Sequence, residues 1–265
     1  MTPHYEDINI RILTPLWLGG VDGDSEVDRE SGVVGSLRFW ARVFGMSKDD
    51  IKKLFGDTGT RKQFRIELHG LKGLVTLDTD DLPRPTSNEE RKELVLIRDK
   101  KVLFQTEPFR IRIIGEADPT GQIRNLLGSL ATYGGLGPKT QMGFGQIELV
   151  SPPTSVWTPR PESHHFRHEI TVNREKAKNW PKDTIYVMEG VHIRNAVLRP
   201  AIRALHLDEL EIHLFGKPGS TSRLHVSHPF RSRPGDDYRI RIWGEAREEV
   251  GRILGAIKGA LKQYE

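Results

Sequence analysis

Residues 110–117 read Arg-Ile-Arg-Ile-Ile-Gly-Glu-Ala, and residues 239–246 read Arg-Ile-Arg-Ile-Trp-Gly-Glu-Ala. Each copy alternates charged and apolar residues, which is the pattern of a half-buried β-strand, and each is followed by a helical pattern. A second identity, Leu-Phe-Gly, occurs at residues 54–56 and again at residues 214–216. Two matches in the same order favour an internal duplication, and chance similarity between short amphipathic segments is the alternative.

The first half of the chain, residues 1–150, is predicted to have the element order β-α-β-β-α-β. Alternating residues at 8–12 predict an opening strand, and an apolar i, i+3, i+4, i+7 pattern from Leu37 to Phe44 predicts a helix. A second helix is expected to follow Asp118 as its N-cap, with Pro119 at its first position. The remaining strands are expected at residues 64–68, 74–77, 109–113 and 146–150. This order is the split βαβ arrangement of a ferredoxin-like domain.

Prolines at positions 152, 153, 159 and 161 indicate a linker over residues 151–163. It would join a first domain at 1–150 to a second at 164–265. The second copy shows no glycine-rich loop and no closing strand, so its sheet is expected to be incomplete or to be completed from elsewhere. The charged, proline-containing segment 82–101 is expected to be a loop or a protruding hairpin. The predicted fold is therefore α+β, with two ferredoxin-like, RRM-like repeats and one glycine-rich loop.

Composition excludes several classes of protein. The 265 residues are 36% hydrophobic and 29% charged, which is typical of a soluble globular protein. No apolar run reaches the roughly 20 residues that a membrane span needs, and the first residues lack the features of a secretory signal. The absence of cysteine excludes disulfides and thiolate metal sites. We therefore expect a cytoplasmic protein without membrane contact, and no motif predicts a cofactor.

The glycine cluster at residues 134–145 is the most informative candidate site. Glycine allows positive φ and close approach of a partner, and a run of exposed amides beside a lysine can cradle phosphate. The cluster lies after a predicted helix and before a predicted strand, so it is neither a P-loop nor a dinucleotide fingerprint. A tight structural connection is the alternative. The residues predicted to contact RNA backbone are Gly134, Gly135, Gly137, Lys139 and Gln141.

Arginines four residues apart mark two helices, because this spacing places two guanidinium groups along one helix face. The pairs are Arg38 with Arg42, and Arg199 with Arg203. Guanidinium groups match phosphate oxygens in a bidentate manner, so the pairs predict RNA contact. A solvated face with ion pairs within the helix is the alternative.

Aromatic and imidazole rings are candidates for stacking on unpaired bases. Trp17 is expected to be exposed, whereas Trp40 falls on the apolar helix stripe and is expected in the core. The segment 220–233 mixes hydroxyl, imidazole and guanidinium groups around a short predicted strand, and a polar edge strand is the alternative. Its predicted RNA contacts are Arg223, His225, His228 and Arg231.

Four motifs in order resemble subunit one of the type III-B Cmr effector complex, a family within the CRISPR RAMP superfamily. They are residues 14–20 (Thr-Pro-Leu-Trp-Leu-Gly-Gly), residues 35–42 (Gly-Ser-Leu-Arg-Phe-Trp-Ala-Arg), Leu54-Phe55-Gly56, and the glycine cluster ending in Gly143-Phe144-Gly145. The sequence departs from the family pattern at Val34, where arginine is usual, and at residues 139–141, where the family carries arginines.

The resemblance implies a non-catalytic subunit of a CRISPR ribonucleoprotein in antiviral defence. It implies contact with the 3′ region of the guide RNA, or with the target RNA paired to it. The implied partners are guide RNA, target RNA and the other Cmr subunits.

An RNA endonuclease of the same superfamily is the alternative function, because some RAMP relatives cleave RNA. Its candidate catalytic residues are Asp22, Asp24 and Asp28, whose carboxylates could bind a divalent cation. A solvated acidic loop is the simpler explanation of these residues, because such loops are common and the spacing fixes no lysine or histidine beside them. His164 and His168 have the i, i+4 spacing of a helical metal pair, but they precede a strand pattern, so no metal site is predicted.

Overall fold

A computed structural model describes residues 4–18, 30–78, 80, 82, 84–151, 165–180, 187–216, 222–246 and 249–265. The chain divides into two compact units. The first unit comprises residues 1–75, 101–138 and 145–160, and the second comprises residues 76–100, 139–144 and 161–265. Two segments of the expected first domain, 76–100 and 139–144, therefore cluster with the second half of the chain.

The first unit contains a four-stranded antiparallel sheet in the order β2-β5-β1-β6. Its strands are β1 (His4–Ile12), β2 (Phe64–His69), β5 (Phe109–Gly115) and β6 (Ile147–Leu149). The apolar residues of each strand alternate onto one buried face, where Ile8 pairs with Ile111 and Ile66 pairs with Ile113. The short strands β3 (Leu74–Thr76) and β4 (Lys101–Leu103) pair separately.

Three helices belong to the first unit: α1 (Glu30–Val43), α2 (Lys48–Phe55) and α4 (Ala117–Tyr133). The predicted apolar stripe of α1 is buried, with Leu37 and Trp40 at most 1% exposed. Helix α4 begins earlier than predicted, since Glu116 rather than Asp118 is its N-cap. The sequence prediction missed α2, which is capped by the Ser47 hydroxyl accepting a hydrogen bond from the Asp50 amide.

The second unit contains a three-stranded antiparallel sheet in the order β7-β9-β8. Its strands are β7 (His165–Thr171), β8 (Leu224–Val226) and β9 (Arg239–Glu245). The core includes the predicted apolar face of α9 (Val250–Leu261), where Ile253, Ile257 and Leu261 are fully buried. Because His165 and His168 lie on a strand, the i, i+4 helical geometry considered for a histidine metal pair does not arise; His164 lies outside the described residues.

The other helices of the second unit are α3 (Asn88–Val95), α5 (Arg174–Ala177), α6 (Gly190–His192), α7 (Arg199–Arg203) and α8 (Asp208–Phe215). A π-helical segment, Ile193–Leu198, joins α6 to α7. Pro200 has no amide hydrogen to donate into the helical ladder, which accounts for the irregular hydrogen bonding just before it. No helix among the described residues is long and apolar enough to cross a membrane.

The expectation of a loop or hairpin at residues 82–101 is wrong, because the segment contains α3. The Ser87 hydroxyl accepts a hydrogen bond from the Glu90 amide at 3.1 Å, and the Glu90 carboxylate accepts one from the Thr86 amide at 2.8 Å. This is a variant of the Ser-x-x-Glu capping box. The nearby prolines and the high charge hid this signal in the sequence.

The strands that carry the repeated motif, β5 and β9, share one pattern of ion pairs. Asp7 on β1 lies opposite Arg112, binds it through two hydrogen bonds of 2.8 and 2.9 Å, and lies 3.5 Å from Arg110. The hydrogen bonds from Arg112 lower the pKa of Asp7. In the second unit, the carboxylate opposite the duplicated arginine is again bound by two arginines of the repeat motif: Glu169 lies 2.8 Å from Arg241 and 3.3 Å from Arg239.

The two Leu-Phe-Gly segments also share one conformation. Gly56 has φ 73° and ψ 171°, Gly216 has φ 77° and ψ 169°, and each caps a helix by donating its amide to the carbonyl four residues earlier. An arginine donates to a carbonyl of each segment, Arg38 to Gly56 at 3.0 Å and Arg194 to Phe215 at 2.8 Å. The shared positive φ favours glycine at both caps.

We predict that Gly56→Ala destabilises the protein by about 2–4 kcal/mol, because alanine would add backbone strain and a steric clash. A Cβ at this position would lie 2.6 Å from the Thr60 carbonyl oxygen. Gly70→Ala is the matched control, since Gly70 has φ +77° and a Cβ added there would meet no atom within 4 Å. It should cost only about 1 kcal/mol. Equal losses in urea unfolding would contradict the steric argument.

Candidate nucleic-acid interface

The first-unit part of the glycine cluster is a closely packed connection. Its amides donate to the chain itself: Gly134 to Leu130, Leu136 to Gly145, Gly137 to the Ser36 hydroxyl, and Gly145 to Pro15. A side chain at Gly137, whose φ is +90°, would run into the Trp17 carbonyl, so glycine is required here by close packing. Gly134 and Gly135 are buried, and Gly137 is half-buried.

The second-unit part, residues 139–144, forms a 3₁₀ turn at Thr140–Met142. The amides of Met142, Gly143 and Phe144 donate to the carbonyls of Lys139 or Thr140. Thr140, Met142 and Phe144 are buried, while Lys139 and Gln141 are half-buried.

The prediction that bare amides of this loop cradle phosphate is therefore wrong, because these amides are bound within the chain. It fails for Gly134 and Gly137, whose amides donate within the chain, and for Gly135, which is buried. RNA contact through the side chains of Lys139 and Gln141 stays a prediction.

The two histidines proposed for base stacking are buried. The ring of His225 stacks on Trp243 at 3.9 Å and its Nδ1 lies 3.1 Å from the Thr140 hydroxyl. His228 Nδ1 accepts a hydrogen bond of 2.9 Å from the Gly190 amide. Burial lowers the pKa of His225 well below its usual value, and that of His228 to about 3. Both rings are neutral near pH 7 and inaccessible to a base, so these two predictions are wrong.

The indole of Trp17 is also buried, with 5% of its surface exposed. The predicted exposure of Trp17 is therefore wrong, and its carbonyl lies against Gly137. Trp40 lies in the core as predicted, and its Nε1 donates to the Gly135 carbonyl at 2.8 Å.

Most of the second-unit arginines that were predicted to contact RNA form ion pairs with carboxylates of the chain. Arg199 and Arg203 both contact Glu211 on α8, at 3.4 and 2.7 Å, and the hydrogen bond from Arg203 lowers the pKa of Glu211. Arg223 pairs with Glu245 at 3.0 Å, and Arg231 lies over the Tyr238 ring at 4.9 Å. The ion-pair alternative therefore describes the Arg199 and Arg203 pair, although the carboxylate comes from a neighbouring helix.

A group of cations around Gly56 differs in that no carboxylate of the described residues neutralises it. Arg42, Arg61 and Lys62 are exposed, and no carboxylate among the described residues pairs with any of them. Arg38 is half-buried and donates to the Gly56 carbonyl. We call Arg38, Arg42, Arg61 and Lys62 the Gly56 patch.

Backbone geometry brings the Gly56 patch together. A Cβ on Gly56 would lie 2.8 Å from the Lys62 amide nitrogen, so the chain carrying Arg61 and Lys62 returns against Gly56. Arg42 lies one helical turn beyond Arg38 on α1. The nearby Asp57 is neutralised by Lys52 at 2.8 Å, and this hydrogen bond lowers the Asp57 pKa to about 2. The sequence prediction missed Arg61 and Lys62; the signal was a basic pair five residues after Leu-Phe-Gly.

The endonuclease candidates Asp22, Asp24 and Asp28 lie outside the described residues. Within the part of the chain that the structure describes, no three His, Asp or Glu residues are grouped to hold a metal ion.

We predict that His228 makes the fold sensitive to acid. The unfolded histidine binds a proton near pH 6.5, but the buried ring binds one only near pH 3. The unfolded state thus holds more protons in this window, and stability present above pH 6.5 is lost as the pH falls. Between pH 7 and 5, His228→Asn should lose about 2 kcal/mol less than wild type in urea unfolding.

The variant His206→Asn, at an exposed site, is the control and should keep the wild-type pH dependence. A pH dependence of His228→Asn equal to that of wild type would contradict the burial argument.

The fold was compared with solved structures. The crystal structure of Cmr1 from Pyrococcus furiosus, in its apo form, aligns with a TM-score of 0.57 and 14% identity, over 92% of this chain and 88% of that chain. A chain in the cryo-EM structure of type III-B Cmr-beta, bound to cognate target RNA and AMPPnP in the presence of ssDNA, aligns with a TM-score of 0.56 and 11% identity, over 98% and 99%. At these identities the likeness is one of fold.

The sequence was also compared with family models and with curated proteins. No curated protein matches it significantly. The model of the RAMP superfamily matches residues 9–148, which include all four motifs that carry the resemblance. Because this match spans more than half of the chain, the protein belongs to the RAMP superfamily.

Proposed function

We propose that this chain is a non-catalytic, RNA-binding subunit of a cytoplasmic type III-B CRISPR (Cmr) effector. It would contact the 3′ region of the guide RNA, the paired target RNA, or both, beside the other Cmr subunits. Support comes from RAMP membership and from a fold shared with Cmr1 along nearly the whole chain.

The proposal includes two ferredoxin-like repeats. In its favour, the first sheet has the order β2-β5-β1-β6 with α1 after β1 and α4 after β5, which agrees with a split βαβ unit. The second sheet, β7-β9-β8, follows the same order without a counterpart of β6 among the described residues. The matched carboxylate and arginine contacts of Asp7 and Glu169 add independent support for duplication.

The observation that carries the RNA-binding proposal is the charge of the Gly56 patch, which no described carboxylate compensates. An RNA phosphate can bind Arg42, Arg61 or Lys62 without displacing a described carboxylate, whereas it must compete with Glu211 for Arg203. Such contacts release condensed counterions, and affinity then depends on the salt concentration. The patch contains no group placed for chemistry, so its contribution is to hold and position the RNA backbone.

We predict that the triple variant Arg42→Ala, Arg61→Ala, Lys62→Ala binds single-stranded RNA more weakly. The slope of log affinity against log salt concentration is negative, and its magnitude should decrease by about 2, at roughly 0.7 for each of the three lost phosphate contacts. Fluorescence anisotropy over a salt series measures this.

Arg203→Ala is the matched control because it removes an exposed cation that is already paired. Its slope should stay within experimental error of wild type. A triple variant that matches Arg203→Ala would overturn the assignment of the patch.

We further predict that the purified protein returns guide and target RNA intact, with or without EDTA, because it positions RNA without cleaving it. Gel analysis of end-labelled RNA checks this. Cleavage that disappears in the Asp22→Ala, Asp24→Ala, Asp28→Ala variant would replace the proposal with the endonuclease alternative.

A further inference from the structure

Helix α3 turns its described acidic side chains toward the rest of the second unit, to which it belongs. The Glu90 side chain is fully buried: one oxygen accepts 2.8 Å hydrogen bonds from both the amide and the hydroxyl of Thr86, and the other lies 3.3 Å from His192 Nδ1. Glu90 is therefore inaccessible from outside, and Glu93 is half-buried.

A buried arginine binds Glu93, the other described acid of α3. Arg194, only 2% exposed, donates to Glu93 at 3.0 Å, and its other terminal nitrogen donates to the Phe215 carbonyl at 2.8 Å. Asn195 donates to the remaining Glu93 oxygen at 2.8 Å. The π-helical segment presents Arg194 and Asn195 side by side to the same carboxylate.

A buried ion pair of this kind is weak evidence for stability, because desolvation offsets much of the attraction. Its geometry does impose one position, since a displaced α3 would take the Glu93 carboxylate away from the buried Arg194 and the Glu90 carboxylate away from His192. The contacts therefore fix α3 rigidly on the second unit.

The opposite side of α3, together with the turn that follows it, carries exposed apolar and basic side chains. Val95 is 60% exposed and Leu96 is 57% exposed, which makes them neighbouring large apolar residues open to solvent. Three exposed cations accompany them, and none forms an ion pair with a described residue; they are Arg91, Lys92 and Arg98. Asp99 is the exposed acid beside them. We call Val95, Leu96 and these three cations the α3 outer face.

We propose that the α3 outer face docks onto an acidic protein surface that contains an apolar pocket. Burying a valine or leucine side chain is worth roughly 1.5–3 kcal/mol, and a rigid apolar centre with a charged rim is typical of protein interfaces. The three cations, which form no ion pair with a described residue, select an acidic rim on the partner. Adjacent aliphatic side chains favour a protein over RNA, which would be bound by stacking rings and donors.

The inference rests on the proposed function, in that the partner is another protein subunit of the effector. The test reconstitutes the effector from separately purified subunits and measures incorporation of this chain by native mass spectrometry. Val95→Ser with Leu96→Ser should lower the apparent affinity at least tenfold, and Arg91→Glu with Lys92→Glu should lower it and reduce its salt dependence. Ile212→Ser, at a 48% exposed apolar site on α8, is the matched control and should assemble normally.

RNA affinity of the isolated variants, measured in parallel, should stay within twofold of wild type, and their thermal unfolding should be unchanged. Glu93→Gln is a second test of the docking proposal. It removes the charge that pairs with Arg194 and so weakens the attachment of α3, but it leaves the α3 outer face unchanged. It should also weaken assembly.

Normal incorporation of the Val95 and Leu96 variant would overturn the docking proposal alone. Loss of RNA affinity with normal assembly would reassign the face to RNA. If native mass spectrometry of the isolated wild-type chain shows a dimer that the Val95 and Leu96 variant lacks, the face would be reassigned to a second copy. If the wild-type chain does not join the effector, the proposed function itself is contradicted.

Discussion

The alternation of arginine and isoleucine along β5 and β9 is the constraint on which each unit depends. Isoleucines on one face pack into the core, so the arginines lie on the other face, where each strand meets a carboxylate of its neighbour; on β9 this face is covered as well, and Arg241 is 7% exposed. A shift of register by one residue would turn the arginines into the isoleucine-lined core and separate them from their carboxylates. The pairing of Asp7 with Arg112, and of Glu169 with Arg241, is therefore tied to the same register that builds the two cores.

Periodicity predicted the parts of the fold that local chemistry determines. The strand at 8–12 and the α1 stripe through Leu37 and Trp40 are confirmed, because burial of one face imposes a period on the sequence. Helix α3 was missed because a single Ser-Glu capping signal lay among prolines and charges. The π-helical segment was also missed, since its cause, Pro200, suggests a helix start as readily as an interruption of hydrogen bonding.

The candidate site was less predictable, because a sequence does not show which polar groups find partners. Arg38 with Arg42 and Arg199 with Arg203 have the same spacing, yet Glu211 neutralises the second pair and no described carboxylate pairs with Arg42. His225 meets Thr140 across 85 residues of sequence, a contact that no local pattern reveals. The glycines at 134–145 were noticed correctly as a special backbone, but they serve close packing rather than exposure.

The central claim is that uncompensated cations around Gly56 hold the RNA backbone. Photo-crosslinking of 4-thiouridine-labelled guide RNA to the wild-type protein, followed by mass spectrometry of the adducts, tests it most directly. The account predicts adducts on the peptides that carry Arg42 and residues 57–62. Adducts confined to the buried glycine cluster, or to peptides of the second unit, would contradict it.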